Sequence, residues 1–171
     1  MEFSIRLVRE EDAESIVELL NPIIQVGMYT IMDEILSVED QINFIRGFPK
    51  RGVYHVAVCN ESQKVLGLQD VQPISTGVNA FKHVGEISTF VLLASHRKGI
   101  GRSLSHATFQ AAKEQGFIKV RASIRADNPQ AVSFYQSQGF KIIGTAQKHT
   151  FVGGKYIDEI LAEKFIDYKG G

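Results

Sequence analysis

Between His83 and Gly116 the hydrophobic pattern changes period from two to 3.6. The change falls across a short loop, His96-Arg-Lys-Gly-Ile-Gly-Arg102. Before the loop, Glu86, Ser88 and Phe90 share one face of a predicted strand, while Ile87, Thr89 and Val91 share the other. After it, Ile100, Leu104, Ala107 and Ala111 recur on one face of a predicted helix, and Gly116 stands where a helix C-terminus belongs. A strand that feeds directly into an amphipathic helix points to a mixed α/β arrangement, and the uneven interleaving of elements along the chain does not suit a doubly wound sheet.

The flanking segments extend this frame. Phe3, Ile5 and Leu7 alternate as a first strand. Acidic Glu10, Glu11 and Asp12 then suit the start of a helix carrying Ala13, Ile16, Leu19 and Leu20, which Asn21-Pro22 should interrupt. A second helix follows Ser37, with Val38, Ile42 and Ile45 on one side and Gly47-Phe-Pro49 ending it. Strands are predicted at Val53 to Cys59, Val65 to Ile74, His83 to Leu93 and Phe117 to Ile124. Asn128-Pro129 opens a further helix closed by Gly139. Phe140 to Phe151 and Tyr156 to Phe165 pair through Gly153-Gly154. The order β, α, α, β, β, β, α, β, α, β, β predicts an α/β (α+β) fold. Its central sheet is mixed but mostly antiparallel, with about seven strands flanked by about four helices.

At 171 residues the chain suits a single domain, predicted over residues 1–168, with 169–171 as a frayed tail. Nineteen basic and nineteen acidic side chains cancel, whereas a nucleic-acid binder normally carries a basic excess. No nucleic-acid partner and no membrane partner are expected. No stretch approaches eighteen consecutive apolar residues, and charges run through the N-terminal segment, so a cytoplasmic location is the default expectation. The single cysteine, Cys59, precludes an intramolecular disulfide and reads as a small core residue. His55, His83, His106 and His149 show no metal-ligand spacing, so no metal is expected.

Arg97, Lys98 and Arg102 crowd the positive end of the helix that begins near Gly99, where cations are disfavoured by roughly 0.3–1 kcal/mol each. An anion accepting the first-turn N–H groups would relieve that conflict. Alternatively, Gly99 and Gly101 only shape a tight turn and the cations are solvated. The segment has neither the Gly-Lys-Ser/Thr of a P-loop nor the third glycine of a dinucleotide fingerprint.

Val91 through Arg102 resembles the coenzyme A motif of the GNAT superfamily of N-acetyltransferases, with His96 where that family usually has Gln or Arg. Asn128-Pro-Gln-Ala-Val-Ser-Phe-Tyr-Gln-Ser-Gln-Gly-Phe140 resembles the family's second coenzyme A motif, and the element order is similar over nearly the whole chain. Glu86-Ile-Ser-Thr-Phe-Val91 and the Gly153-Gly154 hairpin look most like the phosphinothricin acetyltransferase branch. The resemblance implies a GNAT fold and acetyl-CoA (coenzyme A) as cosubstrate. It places Phe90, Val91 and Leu92 against the pantetheine and thioester, with His96, Arg97, Lys98, Gly99, Ile100, Gly101 and Arg102 around the pyrophosphate. Asn128 and Tyr135 complete the implied cofactor contacts.

For catalysis, the resemblance implies Glu86 as general base and Tyr135 as the phenol that protonates or hydrogen-bonds the departing thiolate. Each has a plainer alternative: a charged residue near a strand start, a core aromatic, and for Asn128 an ordinary helix cap. Tyr29, Thr30, Glu34 and Tyr156 fall in regions that usually frame the acceptor pocket in such enzymes. The expected reaction is direct attack by the primary amine of a small molecule within a ternary complex. An amino acid or an analogue such as phosphinothricin or methionine sulfoximine would be the acceptor. A protein or peptide acceptor, or a non-catalytic acyl-coenzyme A sensor, is the alternative, and a homodimer is left open.

Overall fold

The computed structural model describes residues 2–167, so the tail expected at 169–171 lies outside the described residues. Seven strands form one sheet, β1 (Phe3–Leu7), β2 (Val53–Cys59), β3 (Val65–Pro73), β4 (Val84–Val91), β5 (Lys119–Arg125), β6 (Lys141–Val152) and β7 (Lys155–Phe165). Four α-helices accompany it among the described residues, α1 (Ala13–Val26), α2 (Val38–Arg46), α3 (Ile100–Glu114) and α4 (Pro129–Ser137). The spatial order β1-β2-β3-β4-β5-β7-β6 is antiparallel except where β4 meets β5. This is the mixed, mostly antiparallel α/β fold expected from the pattern of periods.

Helices cover both faces of the sheet's first half. Ile16, Leu19, Ile23 and Ile24 of α1 pack on Tyr54, Val56, Val58 and Leu68, while Ile100 and Leu104 of α3 pack on Ala57 and Leu66 from the other side. All seven residues of β2 are consequently buried, on alternating faces. On the α3 side a second cluster joins Val71, Ile87, Phe117, Val120, Ala122, Tyr135 and Phe140, which seats α4 over the β4–β5 region.

The β4–β5 junction controls the site. Parallel pairing runs from Val84↔Lys119 to Glu86↔Arg121 and stops there. Beyond it β4 stays paired to β3 as far as Val91, and β5 stays paired to β7 as far as Arg125. The two strands therefore diverge, each keeping one partner and losing the other.

Two details differ from the sequence reading. Pro22 lies inside α1 and does not interrupt it. Its missing N–H falls on an exposed position, and burial of the adjacent Ile23 and Ile24 carries the helix on to Gly27. Glu10–Asp12 form a short 3-10 turn ahead of the α-helix, in which buried Asp12 accepts two hydrogen bonds from Arg6, at 2.7 and 2.8 Å.

Phe117 is the largest wholly buried side chain, at 0% exposure, under the Arg51 guanidinium. Phe117→Ala is expected to destabilise the fold by about 3–5 kcal/mol, measured by urea unfolding, because the cavity it leaves is walled by strands on one side and α3 on the other.

Candidate active site

The divergence of β4 from β5 opens a cavity of about 600 Å³, bounded by Thr89, Phe90 and Val91 of β4, the loop His96–Gly101 and the face of α4 from Asn128 to Tyr135. Of the residues singled out in the sequence, Tyr29, Phe90, Val91, His96, Arg97, Gly99, Ile100, Gly101, Asn128 and Tyr135 line it.

Others point elsewhere. Leu92 packs among the apolar residues beneath α1 and α3. Lys98 is exposed within the loop and does not line the cavity. Arg102, in the first turn of α3, borders a separate depression with His106, Lys164 and the C-terminal end of α4 at Ser137 and Gln138. Thr30 is buried beside the cavity, and Glu34 is exposed in the α1–α2 connection. Tyr156 is 66% exposed and packs on Phe151 at the tip of the β6–β7 hairpin, away from the cavity.

The loop has the local structure of an anion site. Arg97 and Gly99 both adopt left-handed backbone, with φ of 62° and 80°. No side chain caps α3, whereas α2 is capped by Ser37 and α4 by Asn128, whose Oδ1 accepts from Ala131 N–H at 3.1 Å. The first-turn N–H groups of α3 are thus left open toward the cavity. The two glycines serve different ends. A Cβ on Gly99 would meet nothing, so its constraint is the positive φ; a Cβ on Gly101 would sit 2.9 Å from the Phe134 ring, so that glycine lets α3 and α4 close on each other. His96, the departure from the family pattern, turns its Nε2 to the Val91 carbonyl at 3.0 Å and ties the loop to the end of β4.

Tyr135 is buried, and its hydroxyl donates to Thr89 Oγ1 at 3.0 Å. Burial pushes the phenol well above its ordinary pKa, so it keeps its proton at any physiological pH. Thr89 Oγ1 also accepts from Gln69 Nε2 at 2.9 Å, and that amide donates to Ser105 of α3 at 3.1 Å.

The opposite sheet face carries the carboxylates. Glu86 stands at the last β4–β5 rung, accepting from Ser123 Oγ at 3.2 Å and lying 3.5 Å from Arg121 Nε. It is half-exposed and borders the divergence without lining the cavity. Asp70 lies opposite Ser88 and Tyr54 in the register, with one oxygen accepting from Gln72 at 3.0 Å. Burial pushes its carboxyl up to about 7. At the far end of β5, Arg125 is 4% exposed; it pairs with Asp127 at 2.8 Å and donates to the Gly27 and Thr30 carbonyls at 2.9 and 2.7 Å. That contact straps the α1–α2 connection across the open face.

Residues 5–161 match the acetyltransferase (GNAT) domain family. The chain belongs to the GNAT acetyltransferase family. It is 24% identical over 164 residues to the L-amino acid N-acyltransferase MnaT of Escherichia coli, covering 96% of this chain and 94% of that one. The fold superposes on an N-acetyltransferase from Staphylococcus aureus with a TM-score of 0.89 at 21% identity, covering 98% and 100% of the two chains. It also superposes on a phosphinothricin acetyltransferase from Sinorhizobium meliloti, solved in complex with AcCoA, with a TM-score of 0.86 at 20% identity, covering 96% and 89%.

For a GNAT acetyltransferase, four polar groups escaped the sequence reading. Gln69 and Asp70 interrupt an otherwise apolar strand, Val65 to Val71, which was the available signal. Thr89 looked like an ordinary strand residue, and nothing in the local sequence distinguished Arg125. Among the described residues no group of three or more His, Cys, Asp or Glu is placed to hold a metal, and no helix is long and apolar enough to cross a membrane.

Two outcomes are expected. Gly101→Ala lowers stability by about 1–3 kcal/mol through overpacking against Phe134, and the double variant Gly101→Ala/Phe134→Leu recovers most of the loss in denaturant melts. For Asp70, a folded pKa of about 7 against 3.8 unfolded means the native state binds the extra proton. Stability from this group is full below about pH 4 and is lost as pH rises through 7. Asp70→Asn should flatten that descending part of the stability–pH curve.

Proposed function

We propose that this protein transfers the acetyl group of acetyl-CoA to the primary amine of a small molecule, an amino acid or a close analogue, by direct attack within a ternary complex. The observation that carries the reading is the convergence of an uncapped α3 N-terminus and the unpaired edge of β4 on one cavity. The residues fit such a ligand. Open first-turn N–H groups and an unobstructed Gly99 suit a pyrophosphate, and the free β4 edge suits the amide groups of a pantetheine arm. The small-molecule acceptor is supported by the similarity to MnaT and to the phosphinothricin acetyltransferase.

When bound, acetyl-CoA supplies an activated thioester. The protein's own tasks are to hold it, to deprotonate the amine and to stabilise the departing sulfur. His96, Arg97, Gly99, Ile100 and Gly101 hold the anionic part, and Phe90, Val91 and Asn128 border the arm. Glu86 accepts the ammonium proton, directly or through water, from the open sheet face. A hydrogen bond from Ser123 and the nearby Arg121 guanidinium hold its carboxylate at the last β4–β5 rung. Tyr135, directly or through its hydrogen-bond partner, serves the sulfur. Tyr29 and Thr30 frame the acceptor side, held by Arg125. The reading treats residues 1–168 as one catalytic domain.

Thiol release from acetyl-CoA should be stimulated by members of a panel of amino acids, phosphinothricin and methionine sulfoximine. Stimulation by peptides alone would replace the acceptor class, and coenzyme A binding with no stimulation by any amine would make the chain a sensor. Glu86→Gln is expected to lower kcat/KM by about 10²–10⁴-fold. An unchanged kcat/KM would take Glu86 out of the reaction.

A further inference from the structure

With Tyr135 as the donor of their shared hydrogen bond, the hydroxyl of Thr89 has a hydrogen with no acceptor among the described residues. Its oxygen accepts from Gln69 Nε2 at 2.9 Å and from Tyr135 OH at 3.0 Å. A hydroxyl offers two lone pairs and one hydrogen, so both lone pairs are engaged. No acceptor for its own hydrogen is found among the described residues, and the side chain borders the cavity.

The orientation of Gln69 bears on this. It is 0% exposed, its amide nitrogen contacts both Thr89 and Ser105, and its Oε1 is the one buried amide oxygen without a partner among the described residues. Reversing the amide would leave two N–H donors unpaired in the same apolar surroundings, a costlier arrangement than one unpaired acceptor. Gln69 therefore donates to Thr89, and the Thr89 hydrogen is directed to whatever fills the cavity. The cavity side of β4 thus presents a donor, polarised by two hydrogen bonds that it accepts.

We propose that Thr89 donates the hydrogen bond that stabilises the departing sulfur, with Gln69 and Tyr135 as positioning residues that act through it. This rests on the acyl-coenzyme A reading above. A thiol is a far stronger acid than an alcohol, with a pKa of about 8.5 for a free cysteine side chain, so a departing thiolate can be served by stabilisation in place of full protonation, and one charge-assisted hydrogen bond provides that. No proton changes owner in this step. The carbon–sulfur bond breaks with its electron pair going to sulfur, and the O–H of Thr89 points at the charge that develops. Tyr135, which burial keeps protonated, strengthens that O–H by donating to its oxygen.

The test reads binding as well as turnover. Affinities for coenzyme A and desulfo-coenzyme A are measured by calorimetry, and the bound thiol is titrated by its thiolate ultraviolet absorption. In the unmodified protein the bound thiol should titrate below the free one, and coenzyme A should bind roughly tenfold tighter than desulfo-coenzyme A above neutral pH. Thr89→Ser keeps both effects. Thr89→Val, or Thr89→Ala if the valine variant folds poorly, removes both while leaving desulfo-coenzyme A affinity unchanged. Tyr135→Phe and Gln69→Leu weaken both without abolishing them. A bound thiol in Thr89→Val that still titrates as low as in the unmodified protein would overturn the proposal, as would complete loss of that lowering in Tyr135→Phe with Thr89→Val unaffected. Failure of the unmodified protein to bind either ligand would instead overturn the acyl-coenzyme A reading, and this assignment with it.

Discussion

The organisation of this molecule depends on the point at which one pair of strands stops hydrogen-bonding. β4 and β5 share three residue pairs and then part after Glu86 and Arg121, although each remains paired on its other side. Unpaired backbone inside a sheet is unfavourable unless something satisfies it. A wedge held open by rigid neighbours therefore keeps main-chain groups of β4 available along the cavity. The packing of α3 and α4 around the wedge, the bend of the loop at Gly99 and the tie from His96 to Val91 all preserve that opening.

A second layer of organisation is polar and buried. Ser105, Gln69, Thr89 and Tyr135 form a chain that crosses from α3 through β3 and β4 to α4. Such a chain is costly if any member is unsatisfied, and it fixes rotamers tightly when it is complete. It also joins the two helices that flank the cavity, so the spacing of the walls and the aim of a hydroxyl are set by the same contacts. The carboxylates Glu86 and Asp70 occupy the opposite face of the sheet, which separates groups that would accept protons from groups that donate hydrogen bonds.

Much of this was legible in the sequence where the pattern is local. The change of period across His96–Arg102, the Asn128-Pro129 cap and the alternation of Glu86, Ser88 and Phe90 against Ile87 and Thr89 depend on near neighbours, and the element order followed from them. Pro22 was misread because a solvent-facing proline late in a helix is outweighed by burial of Ile23 and Ile24, which depends on the whole sheet beneath. The different duties of Gly99 and Gly101 could not be separated without knowing where Phe134 lies. Arg102 and Tyr156 were placed near the cavity by motif position, but helix phase turns the first away and hairpin length carries the second out to solvent. Gln69 and Thr89 are close only across a strand pair, a relation that no reading of either segment alone reveals.

The Arg125 strap has one more implication. Because its guanidinium grips main-chain carbonyls at Gly27 and Thr30, the α1–α2 connection is anchored without reference to the side chains around those points. Exposed positions such as Ile31, Asp33 and Glu34 can thus be exchanged while their backbone path persists, whereas Tyr29, Met32 and Leu36 pack on the α1 cluster. The acyl-donor side, built from main-chain groups and helix ends, is insulated from such exchanges. Evolution could reshape this rim by rewriting those few exposed positions, leaving the β4 edge and the α3 terminus as they are.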